Sequence, residues 1–535
     1  MVLENRIWAA NDEKGNKLFL SPKMANRHGL IAGATGTGKT ITLKVLAESF
    51  SDMGVPVFLS DVKGDLAGMV SPGEDNSGML ERKERFSLNE NGFDYIGYPV
   101  NFWDIYGEKG IQLRTTVSEM GPLLLSRILD LNDLQTDILS IIFKIADDRD
   151  LLLIDTKDLK AILNYVSENS KEFSEDYGNI SKVTISAILR AVVSLEIDGG
   201  DKFFGERALD IMDLFSVSHD KGVINILSSE KLIGNVRLYS MFLLYLMSEL
   251  FETLPEVGDR EKPKMVFFFD EAHLLFKGAP KILIEKIEQV VKLIRSKGVG
   301  IYFVTQTPSD IPDGVLSQLG NKVQHALRAY TPSDQKAVKA AAASYRENPE
   351  FDTYETLLAL GTGEAIVSFL DEDGVPAMVQ KAYILPPQSR MGGIDESLRD
   401  SVMKDSLCYS KYKEAIDPDS AYEFLKRMGL EEEEAKQKEA EEAAAEKLRT
   451  KEEAAAQKAR EKEAAAEEKA LKKKQEQEEK AKKRVVKNVG SSVAGTVGRE
   501  VGKAAGAGFG RIGKTIGGNI GASLGRGILS TLFKL

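Results

Sequence analysis

The chain has 535 residues, 42% of them hydrophobic, with 71 Lys or Arg against 82 Asp or Glu for a net charge of -11. That length holds a large core plus appendages, and the acidic balance excludes a basic surface coat while allowing a basic channel inside an acidic ring. A single cysteine, Cys408, excludes an internal disulfide, no basic-then-apolar leader opens the chain, and no apolar run approaches the roughly 20 residues of a membrane span, so a cytoplasmic protein is expected.

From the start, residues 1–28 read as a short β segment with a turn at Lys14-Gly15-Asn16. Out to residue 388, short apolar runs then alternate with amphipathic stretches, the pattern of strands and crossover helices in a mainly parallel sheet. The expected strands are Gly29–Ala32, Val55–Ser60, Gly222–Leu227, Lys264–Phe269 and Gly300–Thr305; most are solidly apolar, as strands covered on both faces must be. Residues 29–117 and 214–388 are thus the two parts of an α/β core. Between them, residues 118–213 turn helical, with Leu123, Leu124, Ile128 and Leu131, then Ile138, Ile141, Ile142 and Ile145, at three-to-four-residue spacing. This predicts an inserted helical subdomain.

The first strand runs into Gly33-Ala34-Thr35-Gly36-Thr37-Gly38-Lys39-Thr40 and then a helical stretch, which fits strand, GxxxxGK[ST], helix. Glycines let backbone N–H groups close around phosphates, the helix N-terminus favours their charge, and Lys39 reaches the outer phosphates. Gly33 to Thr40, with Thr42 in the next turn, are therefore the predicted ATP-binding residues, and the Thr40 hydroxyl is a predicted Mg²⁺ ligand. A buried strand ending in Asp270-Glu271 supplies the expected second site: Asp270 supports the metal, and Glu271 polarises the attacking water. The strand ending at Thr305 presents Gln306 as a candidate sensor of the γ-phosphate, the alternative being a glutamine that caps the turn before Pro308. Asp61-Val62-Lys63-Gly64-Asp65 follows another strand, at the edge where ligands bind in such sheets, or is a surface turn.

Residues 389–430 read as a looser helical region, and from 431 to 487 the chain is almost wholly Glu, Ala, Lys, Arg and Gln. That composition favours a solvated helix; with Leu448 and Leu471 its only leucines, a single charged helix is expected ahead of a coiled coil. Residues 488–535 are glycine-rich and basic. Gly490, Ala494, Gly498, Gly502, Gly506 and Gly510 recur every four residues, which on a helix makes a small-residue stripe. Glycines cost nearly 1 kcal/mol each in a helix, so the isolated tail is expected to be disordered in water, the alternative being a helix that folds only against a partner helix or an anionic membrane.

These residues resemble the HerA/FtsK superfamily of ring-forming motor ATPases, most closely the bacterial HerA-like proteins of the YjgR type. The resemblance rests on Gly33 to Thr40, Asp61-x-Lys63-Gly-Asp65, Phe269 to His273, Arg295-Ser-Lys-Gly-Val-Gly300 leading to Gln306, the charged helix and Gly525 to Phe533. It implies a RecA-like P-loop NTPase core, a homo-hexamer, and an arginine that reaches a γ-phosphate across or within subunits, Arg295 and Arg328 being the candidates. HerA motors also carry an N-terminal β-barrel that docks a nuclease, and the approximately 28 residues ahead of the phosphate loop are too few for one. The resemblance implies an ATP-driven motor on double-stranded DNA; the alternative is an ATP-dependent factor that assembles or remodels protein or membrane partners through its tail.

Overall fold

The computed structural model describes residues 1–258, 260–277 and 281–485, so the glycine-rich tail lies outside the described residues. In chain order the strands are β1 (Val2–Leu3), β2 (Arg6–Asp12), β3 (Lys17–Leu20), β4 (Gly29–Ala32), β5 (Val57–Asp61), β6 (Val100–Asp104), β7 (Ile111–Gln112), β8 (Val217–Ser218), β9 (Lys221–Gly222), β10 (Ile224–Ser228), β11 (Met265–Phe269), β12 (Val299–Thr305), β13 (Asn321–His325), β14 (Glu364–Ser368) and β15 (Gln380–Ile384). The main sheet runs β1-β2-β15-β14-β13-β4-β12-β11-β5-β10-β6-β7 with β3 on β2, while β8 and β9 form a separate hairpin. From β13 to β7 every pairing is parallel. On the other side of β13 every pairing is antiparallel. The expected N-terminal β segment therefore belongs to the main sheet, joined to it where β2 pairs with β15.

The parallel half is covered on both faces, which is why its strands are apolar throughout. Along each strand alternate residues go to opposite sides: Phe58, Phe267, Ile301 and Phe303 join one core, and Val57, Leu59, Phe268, Tyr302 and Val304 join the other. On the second face Leu43, Leu46 and Phe50 of the helix Lys39–Asp52 close the layer. On the first face lie the helices Val236–Thr253 and Lys281–Ile294, together with the inserted helices. That insertion holds Val117–Ile128, Asp133–Asp148, Thr156–Glu168, Ser170–Tyr177 and Lys182–Ile197. Three of its helices start with reciprocal caps, Thr116 with Glu119, Asn132 with Gln135 and Asp155 with Asp158, so each start is fixed by local hydrogen bonds.

The five strands expected from apolar runs all form, with ends shifted by up to two residues. Among the described residues, 1–433 make one compact unit and 434–485 belong to a second. The charged helix spans Ala421–Val485, and Leu448 and Leu471 on it are both exposed. No helix among the described residues is long and apolar enough to cross a membrane.

Two fully buried histidines fasten the edges of β4. His28 accepts the Ile301 N–H at Nδ1 (3.0 Å) and donates from Nε2 to the Val291 carbonyl (2.8 Å). His325, ending β13, donates from Nδ1 to the Glu364 carbonyl (3.0 Å) and accepts the Thr42 hydroxyl at Nε2 (2.8 Å). Each ring is thus neutral, in opposite tautomers fixed by its partners. Burial pulls both down from 6.5 to about 4. A depressed histidine pKa means the unfolded chain takes up the proton first, so this contribution is complete above pH 6.5 and is lost as pH falls from there toward 4. The expected slope is about 1.4 kcal/mol per pH unit per histidine. Imidazole ¹⁵N spectra should show these two rings in opposite tautomers and still neutral at pH 5; a ring titrating near 6.5 contradicts the assignment.

Candidate active site

Parallel pairing brings the last residues of four strands to one edge, with Ala32 opposite Thr305 and Phe269 opposite both Phe303 and Ser60. Asp61, which ends β5, and the residues that follow the other three strands, Gly33, Gln306 and Asp270, therefore meet although they are far apart in sequence.

The phosphate loop is pinned at its root by both neighbours of β4. The Gly33 N–H donates to Thr305 O (3.2 Å) and the Ala34 N–H to Ala326 O (2.9 Å). A side chain at Gly33 would bring its Cβ to 2.5 Å from His325 Cβ, so this close approach requires glycine. Thr35 and Gly36 form the exposed crest, and the Thr37 hydroxyl donates to Ala34 O (2.7 Å). Lys39, 7% exposed, donates from Nζ to Gly33 O (2.7 Å) and Ala34 O (3.2 Å), and burial pulls its pKa down. Thr40 follows, half-buried, in the first turn of the helix after Gly38. Thr42 lies deeper: its hydroxyl is engaged by His325, so it braces the loop from beneath.

Opposite the loop, Asp270 and Glu271 are each 5% exposed. Burial, then the charge of Glu271, pushes the Asp270 carboxyl up to about 7. Glu271 has φ 48, a left-handed backbone that costs a non-glycine residue of order 1–3 kcal/mol. Its Oε1 accepts from Lys63 Nζ (2.7 Å) and its Oε2 from Gln306 Nε2 (3.4 Å). Burial raises the Glu271 pKa, but Lys63, then Gln306 and Lys39, outweigh it and hold the group below the usual carboxylate range. His273 Nδ1 lies 3.3 Å from Glu271 Oε2 without hydrogen-bond geometry. A cleft of about 730 Å³, lined by His273, Gln306, Thr307 and Asp310, opens beside this group.

Lys63 and His325 were not among the predicted site residues. The Asp61 carboxylate accepts from the N–H groups of Lys63 (3.3 Å), Gly64 (2.8 Å) and Leu66 (3.1 Å), and the turn so formed presents Lys63 to Glu271. The turn motif was visible in the sequence, whereas its contact with a residue 208 positions away was not. His325 carried no signal, since it ends a strand that no apolar run marked.

The arrangement combines two ammonium groups, an ionised buried carboxylate and an amide donor around one loop. Asp270 and the Thr40 hydroxyl also fit Mg²⁺, because a carboxylate raised to about 7 by burial beside a second carboxylate is one that a divalent cation would hold ionised. The two arginines sit apart. Arg328 lies beyond β13 on the loop's edge, with its guanidinium on Leu358 O (3.3 Å) and Leu360 O (3.5 Å). Arg295 opens the turn that feeds β12. The seven residues of β12, roughly 20 Å of strand, separate it from Gln306, so it cannot reach its own subunit's phosphate loop.

The Helicase HerA-like C-terminal family matches residues 6–514. A probable helicase of Methanocaldococcus jannaschii is 32% identical over 164 residues, covering 29% of each chain. The DNA double-strand break repair helicase HerA of Sulfolobus acidocaldarius is 23% identical over 362 residues, covering 66% of this chain and 63% of that protein. This chain thus spans less than two thirds of the length of either relative. Among solved structures, VirB4 of Thermoanaerobacter pseudethanolicus aligns with a TM-score of 0.45 and 16% identity over 72% of this chain and 97% of that one. The bacterial conjugative coupling protein TrwB aligns with a TM-score of 0.45 and 14% identity over 70% and 88%.

The geometry separates binding from turnover. Lys39→Ala is expected to weaken Mg-ATP binding, whereas Glu271→Gln keeps it and lowers kcat by about 10²–10⁴. Lys63→Met, which removes only the partner of Glu271, should fall between Glu271→Gln and the parent in kcat with little change in binding. Equilibrium titration and steady-state hydrolysis measure the two quantities; parental turnover in Glu271→Gln would remove that residue from the chemistry.

Proposed function

Because the chain belongs to the Helicase HerA-like C-terminal family, we propose that it is an ATP-hydrolysing ring motor that acts on double-stranded DNA. The observation that carries the hydrolytic reading is the Glu271 carboxylate, held between Lys63 and Gln306 at the mouth of a phosphate loop. Lys39 and the loop N–H groups bind the outer phosphates, Glu271 accepts the proton of the attacking water, and Gln306 orients that water. Mg²⁺, held by Asp270 and Thr40, would neutralise phosphate charge when bound. The DNA reading draws on the Sulfolobus acidocaldarius relative, which is named a DNA double-strand break repair helicase.

The position of Arg295 supports an assembly of several copies, a homo-hexamer in this reading. An arginine at the sheet's opposite edge can serve only a neighbour's site, whereas Arg328 is on the right edge to serve either.

Two measurements test the proposal. Duplex DNA should raise ATP turnover at low salt, with the stimulation falling steeply as salt rises. Turnover indifferent to duplex DNA at every salt concentration, but raised by anionic vesicles or a protein partner, supports the remodelling alternative. Separately, Arg295→Ala subunits should be inactive alone and regain activity when mixed with Lys39→Ala subunits. An Arg295→Ala protein with parental turnover eliminates that residue as the finger.

A further inference from the structure

Gln306 is exposed and meets Glu271 at 3.4 Å through a long, freely rotating side chain, so the direction of its amide depends on how the backbone around it is held. The strand behind it supplies half of that hold. Thr305, fully buried, ends β12, and its carbonyl accepts the Gly33 N–H at the root of the phosphate loop (3.2 Å). One residue earlier, the Val304 carbonyl accepts the Ala272 N–H (2.8 Å), which ties the backbone just past Glu271 to the same strand end. Phosphate loop, carboxylate and Gln306 thus share the end of β12 as their common support.

Past Gln306 the chain leaves the sheet, and there the hold is a side chain. A single oxygen of Asp310, Oδ2, accepts both the Thr305 hydroxyl (2.8 Å) and the Thr307 N–H (3.0 Å), so the residues on either side of Gln306 converge on one atom. The Thr307 N–H belongs to the peptide that follows Gln306 directly, and fixing that peptide fixes the direction in which the Gln306 side chain leaves the backbone. The Thr305 hydroxyl, on a residue wholly removed from solvent, is the anchor from which the carboxylate does this. The segment between is stiff as well: Pro308 fixes its own φ, and the Asp310 and Ile311 N–H groups donate to Thr307 O and Pro308 O (3.1 Å each). A carboxylate three residues past an N-cap ordinarily secures the start of a helix. Here the helix is the single turn Pro308–Asp310, so what the carboxylate secures is the peptide joining Gln306 to Thr307. The other partner of Glu271 is presented in a similar way, since Lys63 stands on a turn held by the Asp61 carboxylate.

We propose that Asp310 is a positioning residue for hydrolysis: anchored on the buried Thr305 hydroxyl, its carboxylate holds the Gln306–Thr307 peptide so that the Gln306 amide is directed at Glu271. The role needs an oxygen acceptor at Oδ2 and not a negative charge. The proposal rests on the reading of Glu271 and Gln306 as the groups that activate and orient the attacking water.

Steady-state hydrolysis by the full chain, with Mg-ATP binding followed alongside by calorimetry, tests it. Asp310→Ala is expected to lower kcat by about 10–100-fold while Mg-ATP affinity stays parental. Asp310→Asn, whose amide oxygen can stand where Oδ2 stands, should recover most of that loss. In a Gln306→Ala background, Asp310→Ala should lower kcat no further, because the group that it positions is gone. An equal further drop in that background overturns the positioning role, as does parental kcat in Asp310→Ala. An Asp310→Asn protein as slow as Asp310→Ala also overturns it, by making the charge the active property, and lost Mg-ATP binding in Asp310→Ala overturns it by making the residue a support of the whole site. Parental turnover in Gln306→Ala instead removes Gln306 from hydrolysis and refutes the reading on which the proposal stands.

Discussion

Two carboxylates follow one another at the end of β11, each almost wholly buried; burial drives both toward their neutral forms, and the charge of Glu271 drives Asp270 further. Glu271 stays ionised because Lys63 reaches it from the turn after β5 and Lys39 from the loop after β4. Those cations arrive from strand ends on either side of β11 and its neighbour β12. The parallel order β4-β12-β11-β5 is therefore more than a packing solution: it lets groups from separate segments neutralise one buried acid. For Asp270 the Glu271 N–H and the charge of Lys63 oppose burial without overcoming it, and the carboxyl is pushed up to about 7, so two adjacent acids stand in unlike electrostatic surroundings.

The helix Lys39–Asp52 transmits this constraint through the molecule. Its first residue faces the carboxylates, Thr42 bonds His325 at the end of β13, and Lys44 and Glu48 hold the strap at 388–390. Leu43, Leu46 and Phe50 meanwhile lock it onto the sheet. A shift of the loop thus strains a buried histidine and a buried carboxylate network together, and buried polar groups are costly to leave unpaired. This coupling gives the loop a defined shape in spite of its glycines.

The parts legible in the sequence were those in which one short segment carries both the structural and the chemical signal. An apolar run before GxxxxGKT is at once a buried strand and a phosphate loop, and Met265 to Glu271 is at once a strand and a carboxylate site. β13 escaped because it reads Asn-Lys-Val-Gln-His, with no apolar run, although Asn321, Gln324 and His325 are all buried. Asn321 donates to Met24 O and His28 O and accepts from the Leu370 N–H, so the strand owes its place to hydrogen bonds from distant segments that periodicity cannot register. β6 was hidden for a related reason: Asn101 interrupts its apolar pattern and is satisfied by Ser406 and Asn225. Lys63 was visible as a motif but not as a partner, since its role exists only once β5 and β11 lie side by side.

Arg295 lies in the turn before β12, at the end of that strand away from Gln306. Phosphoryl transfer develops charge on the oxygens farthest from the loop, and Lys39 and Lys63 are both engaged on the near side, by loop carbonyls and by Glu271 respectively. Within one chain, parallel strands put every residue that precedes a strand at the edge away from the site, and Arg295 precedes β12. Head-to-tail packing of identical chains brings one chain's far edge to the next chain's near edge, the heterologous contact that closes into rings. In a ring motor built this way, the same sheet polarity that gathers the carboxylates would make each site dependent on its neighbour for its last cation.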